Sequence, residues 1–288
     1  MKNTIFILSS VFLLFSCGNH DAEKDIKANH SDSTVVDSVA VTEQQIQDNE
    51  SVNLPSPLRI ANALKRSGIK LIESSLNDRN LVKNYNNTFS KSLNLGVYSA
   101  DMAYCLLNKQ YSLSKDYLKT CRDLGEGLGL ESAFATNNLA QRFEKNIGKE
   151  DSLLKIVTEL QQQTDEILEA NRSGHISVLI FTGAWMETLN CAGEAIQKGD
   201  HKVTATLLEL LSFSPSVISA LKQESKNEVD VESLVKQVEE LNNSFISLGL
   251  ISANENEEID FSAAKVDNEK INSLCKQINV LRNNIIKG

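Results

Sequence analysis

The densest apolar run of the chain is Ile176 to Ile196, ISVLIFTGAWMETLNCAGEAI, which also holds its only tryptophan, Trp185. At about 3.6 residues per turn, Val178, Phe181, Trp185, Leu189, Ala192 and Ile196 form one stripe, and Ile180, Ala184, Cys191 and Ala195 widen it. Only a narrow strip of Glu187, Asn190, Glu194, Gln197 and Lys198 is polar. A helix apolar around most of its girth packs at the centre of a fold, covered on several sides. It does not read as a membrane span, because the unbroken run from Ile176 to Met186 is too short and Glu187 and Glu194 follow it.

The rest of the chain reads as helices packed around that one. Ser56 and Pro57 suit the N-cap and first position of a helix whose apolar face is Ile60, Leu64, Ile69, Leu71, Ile72 and Leu76. Asn77 to Asn87 is a polar connection. Phe89 to Asn108 is then helical, with a small-residue face of Gly96, Ala100 and Ala103 that permits a close neighbour. A short turn leads into Ser114–Leu128, with Tyr117, Leu118, Cys121 and Leu124 inward, and the two segments form a helical hairpin. Gly125, Gly127 and Gly129 follow a helix rather than a strand and lack a Lys-Ser/Thr sequel, so they mark a helix end and not a nucleotide loop. Helical patterns continue over Glu131–Ile147 and Asp151–Asn171 before the central run. After it come Lys202–Phe213, which Asp200 is placed to cap, then Val217–Lys226, Val231–Leu250, a loop at Asn254–Glu258, and Ala263–Ile286. No stretch alternates as a strand does. The expectation is an all-α fold, a compact multi-helix bundle of antiparallel helix pairs with roughly ten helices.

The N-terminus changes the picture of where this bundle sits. Lys2 and the apolar run Ile5 to Phe15 have the layout of a signal peptide. Leu13-Leu14-Phe15-Ser16-Cys17 resembles the bacterial lipobox, which implies removal of residues 1–16 and lipid attachment at Cys17. Gly18-Asn19 is not the aspartate signal that retains lipoproteins in an inner membrane, so the resemblance implies the outer membrane, on its periplasmic or cell-surface face. Residues 17–54 carry no aromatic residue, and eight acids outnumber two lysines from Gly18 to Leu54. That composition describes a disordered, self-repelling tether, with a span on the order of 35 Å. Residues 55–288 are then the single folded domain. A net charge of −9 argues against nucleic acid as a partner.

Candidate chemistry is sparse. Asp101 lies in Tyr98-Ser-Ala-Asp101-Met-Ala-Tyr104 on an otherwise apolar helix, where a buried carboxylate needs partners such as tyrosine hydroxyls. A general base would need a titratable companion, and none is adjacent in sequence, so Asp101 reads as a structural anchor. Glu187 and Glu194 share one face two turns apart. The di-iron bundles that use such acids also need Glu-x-x-His, which occurs nowhere, so no metal or cofactor is expected and the strip is solvated or pairs helices. His175 and His201 fall near opposite ends of the central helix. No nucleophile elbow or other catalytic frame is present, and the chain does not read as an enzyme. Tyr98, Tyr104, Trp185 and Met186 are either plain core or the lining of a pocket between helices. Besides Cys17, the cysteines are Cys105, Cys121, Cys191 and Cys275, with no C-x-x-C pair and each in an apolar helical context. They read as buried free thiols. If any two pair, Cys105 and Cys121 do, since the hairpin brings them to comparable heights.

Leu93–Leu130, LNLGVYSADMAYCLLNKQYSLSKDYLKTCRDLGEGLGL, and the segment ISVLIFTGAWMETLN resemble a group of uncharacterised Bacteroidota outer-membrane lipoproteins that share a Leu-Gly-x-Tyr-x-Ala-Asp-φ-x-Tyr core. Leu95, Gly96, Tyr98, Ala100, Asp101 and Tyr104 match that core. The resemblance implies an all-helical fold and a lipid-anchored address, and it brings no activity with it. Two functions remain open. One is an interaction or scaffold module facing an envelope protein or polymer. The other is a small-ligand binding protein with a pocket between its helices.

Overall fold

The computed structural model describes residues 54, 57–135, 138–224, 229–250 and 260–288. Signal, tether, Cys17, Ser56 and the loop at Asn254–Glu258 lie outside the described residues. Eleven α-helices pack together and no strand occurs among the described residues. In chain order they are α1 (Pro57–Ser67), α2 (Thr88–Leu107), α3 (Tyr111–Glu126), α4 (Glu131–Ala135), α5 (Leu139–Lys145), α6 (Glu150–Ala170), α7 (Gly174–Gln197), α8 (Thr204–Leu211), α9 (Ser214–Glu224), α10 (Val229–Ile246) and α11 (Asn268–Lys287). The fold is all-α, as the periodicities predict.

Helix α7 is the axis of the bundle. It packs against α1, α2, α6, α8, α9 and α11, and its Trp185, Met186, Leu189 and Ala192 are fully buried. The expected narrow polar strip faces water only at its end: Glu187 and Asn190 are buried against α11, Glu194 is half-buried, and Gln197 and Lys198 are exposed.

The closest neighbour of α7 is α2. A methyl group placed on Gly96 would lie 1.9 Å from the carbonyl oxygen of Ile180, and one on Gly183 would lie 1.9 Å from that of Leu93. The two backbones therefore touch at a reciprocal pair of glycines, and a Cβ at either position is sterically excluded. The small-residue face of α2 serves this contact, while Ala103 at its far end is only partly covered. On its other side α2 forms the expected hairpin with α3.

Several boundaries differ from the periodic pattern. Helix α1 stops at Ser67, where Gly68 turns into the left-handed region at φ +63°. Ile69, Leu71, Ile72 and Leu76 therefore do not extend the helix but sit on an irregular strap across the end of α2. Leu71 N donates to Asn108 Oδ1 at 2.9 Å and Ile72 N to Tyr104 Oη at 3.2 Å. The predicted helix Glu131–Ile147 is broken into α4 and α5, with Asn138 at φ +50° starting the second. Before α8 a 3-10 turn covers His201–Val203, and the Asp200 side chain makes no capping hydrogen bond.

Two buried clusters fill the interior. One gathers α1 and α7 to α11 around Trp185. The other lies among α2 to α6 around Tyr98, Tyr117 and Phe143. Surface clefts of 740, 510 and 380 Å³ lie on α5/α6 at Arg142 and Glu159, on α9/α10 at Pro215 and Asn242, and on α10/α11 at Leu241 and Val280.

Candidate functional site

Where α2, α7 and α11 meet, the core is polar. Helix α2 carries Asp101 inward, α7 carries Glu187 and, one turn on, Cys191, and α11 carries Arg282. Asp101 and Glu187 are 0% exposed, Cys191 1% and Arg282 7%. One donor atom from each of Asp101, Glu187 and Cys191 lies within 4.8 Å of the other two. Arg282 grips Glu187 with two bonds, Nε to Oε2 at 2.7 Å and Nη2 to Oε1 at 3.1 Å, and also donates to the Ser75 carbonyl at 3.3 Å. Asn77, at the start of the polar connection, donates its backbone N–H to Asp101 Oδ2 at 2.9 Å. Two buried acceptors, Asp101 Oδ1 and Asn77 Oδ1, have no hydrogen-bond partner.

The connection that supplies Asn77 is fixed by aromatic hydroxyls. Tyr117 Oη donates to Asn77 O at 2.9 Å, and Tyr98 Oη to Asp78 O at 2.8 Å. Tyr104 Oη donates to Lys70 O, and Tyr85 Oη to Ile286 O at 3.1 Å on the last turn of α11. The connection is mostly exposed, but Asn77, 1% exposed, and Tyr85 are held inside it. Satisfying buried main-chain carbonyls is the work these tyrosines do.

Electrostatics follow from burial. Desolvation drives the Asp101 carboxyl well above the usual carboxylate range, and the neighbouring Glu187 charge pushes it further, against the pull of the Asn77 N–H and Arg282. Glu187 is also raised by burial, but Arg282 pulls it back. Arg282, bonded to Glu187, therefore favours the charge on Glu187 over Asp101. The Cys191 thiol is pushed far up, first by burial and then by Glu187 and Asp101. Burial likewise raises Tyr98, Tyr104 and Tyr117, and lifts the Cys105 and Cys121 thiols to about 12.

Each candidate from the sequence other than Cys17 has a definite place. Asp101 is not without a companion: Glu187 arrives from α7, which adjacency in sequence does not reveal. The Glu187 strip is a helix-pairing strip and not a solvated one, since Asn279 of α11 also donates to Asn190 Oδ1 and Glu194 Oε1 at 3.3 Å. Tyr98, Tyr104 and Trp185 are fully buried, with Trp185 Nε1 donating to Leu210 O at 2.8 Å. None of them lines the clefts named above. The Cys105–Cys121 bridge is not formed. All four cysteines of the described residues are free and buried, and Cys121 Sγ lies 3.6 Å from Ser99 Oγ.

Arg282 and Asn77 are the residues that sequence reasoning misses. Arg282 did leave a signal, standing four residues after Ile278 and three before Ile285 on the apolar face of α11. A cation on a core-facing stripe asks for a buried acid. Asn77 left none. Chemically, the cluster offers two carboxylates, a thiol and a fixed cation in the buried interior, and none of the four lines the named clefts. Comparison of the chain with protein-family models, with curated proteins and with solved structures finds no match in any of the three.

Proposed function

We propose that the chain is an exported lipoprotein, anchored to the outer membrane through Cys17, whose helical domain works as an interaction or scaffold module toward an envelope protein or polymer. The observation that carries the reading is the state of the core. Tyr98, Tyr104, Trp185 and Met186 are fully buried, and the three with polar ends bond main-chain carbonyls. Side chains committed in this way hold the scaffold rigid and are not free to receive a ligand, so recognition falls to the outside. Grooves such as the 740 Å³ cleft at Arg142 and Glu159 offer polar surface there. The lipobox-like Leu13–Cys17 and the acidic stretch after it support the anchored address. The absence of a catalytic frame in the sequence supports a binding role over an enzymatic one.

The test is affinity purification of the full-length protein from its own cells, with a Cys17→Ala control and mass spectrometry of what is retained. A stoichiometric protein or polymer lost in the control supports the reading. A retained small molecule without a macromolecular partner would replace it with a ligand-carrying role. Cys17→Ala should also release the protein from membranes, and persistence there would refute the anchor.

A further inference from the structure

We propose that Asp101, Glu187 and Cys191 form a structural site for a divalent transition-metal ion of the zinc class, taken up as the chain folds. Their donor atoms already stand within 4.8 Å of one another. Zinc holds oxygen donors at about 2.0–2.2 Å and thiolate sulfur at about 2.3 Å, so small side-chain rotations would close the group on one ion. Glu187 and Cys191 are four residues apart on α7 and project from one face, and Asp101 opposes them from α2.

An independent observation points the same way. Asp101 Oδ1 and Asn77 Oδ1 are buried acceptors that lack a donor, and Asn77 is bonded to Asp101 through its backbone N–H. What these two oxygens lack is a donor to accept from or a cation to bind. With both carboxylates and the thiol ionised, Arg282 leaves two negative charges uncompensated, and a divalent ion cancels them. Binding releases two protons to solvent, one from the Cys191 thiol and one from Asp101.

Arg282 does not compete for the position. Its two bonds to Glu187 use one lone pair on each carboxylate oxygen, and a carboxylate has roughly four such acceptor positions. It acts on Glu187 as the Asn77 N–H acts on Asp101, turning the carboxylate from behind in the manner of the outer partners of metal ligands. The thiolate favours zinc-class ions over calcium or magnesium, which take oxygen donors. Full burial marks the site as one that braces the α2–α7 contact and not one that turns over substrate.

The experiment uses the full chain, unfolded in denaturant with a chelator and refolded with Zn2+ or Co2+, then desalted. One retained ion per chain is expected by elemental analysis. The cobalt form should show near-ultraviolet thiolate-to-metal absorption that Cys191→Ser abolishes and Cys275→Ser leaves intact, with helical circular dichroism preserved in both. Less than about a tenth of an ion per chain after refolding would overturn the proposal. So would thiolate absorption that survives Cys191→Ser. Should Cys191→Ser fail to refold, the stoichiometry and thiolate absorption of the unaltered chain decide: one ion with that absorption supports the site, and an ion without it refutes it.

Discussion

Adding a single methyl group at Gly183 should loosen the whole bundle. The Cβ of Gly183→Ala would fall 1.9 Å from Leu93 O and 2.8 Å from Leu93 C, where contacts under 3.0 Å are essentially never found. The obstacle is backbone, with no rotamer to move, so α2 and α7 must part locally by about 1 Å. A gap of 0.5–1 Å forfeits a quarter to a half of each dispersion contact it opens, and forced insertions into packed cores cost roughly 1–3 kcal/mol or more. Alanine returns up to about 1 kcal/mol of helix propensity. The expected net loss is at least about 2 kcal/mol. Gly193, ten residues on along the same helix, supplies the control. Its added Cβ would meet Cys275 at 3.5 Å, an ordinary contact, so Gly193→Ala should be neutral or more stable by up to about 1 kcal/mol. Urea denaturation followed by circular dichroism measures both. If Gly183→Ala lies within about 0.5 kcal/mol of the parent, or above Gly193→Ala, the backbone contact is not what sets the α2–α7 spacing.

Other outcomes follow from the same geometry. Arg282→Met should cost about 3–5 kcal/mol by stranding Glu187, and Glu187→Leu with Arg282→Met should recover most of it; a double variant no better than the single would refute the pairing. Trp185→Phe should lose about 1–3 kcal/mol, because Leu210 O loses its indole donor, keeping only backbone N–H partners such as Phe213, and the fully buried site loses ring volume; chemical denaturation reads this, and a loss under about 0.5 kcal/mol would count against it. Cys105, Cys121, Cys191 and Cys275 should resist a thiol reagent in the native protein and all react in denaturant without reductant. Only two reacting there would mean that a bridge forms.

Much of this architecture is legible in the residue order, for a physical reason. The girth of α7 is apolar, and periodicity on one helix reports how many sides are covered. Gly96 was visible because it sits on a face of small residues; its partner Gly183 lies inside an apolar run, where a glycine looks like any small core residue. The polar junction was legible in part. Asp101 stood out as an acid on an apolar stripe, but the helix that answers it is set by tertiary packing. Arg282 and Glu187 are 95 residues apart, and no local rule links positions so distant. The end of α1 was misplaced because Ile69, Leu71 and Ile72 fit a helical repeat, yet Tyr104 and Asn108 take their backbone into a strap.

The placement of α11 has a consequence for how the chain acquires its structure. The charge that completes the acid pair sits at position 282 of 288, and the same helix offers the carbonyls of Ile285 and Ile286 to Asn94 and Tyr85, up to 201 residues earlier. During synthesis, α2 and α7 would be finished long before their counter-charge exists. A nascent chain can form helices early, but the junction stays electrically incomplete until α11 emerges with Arg282. Such distant closures slow folding. The junction therefore consolidates only after α11 has been made and docked, with Arg282 95 residues after Glu187.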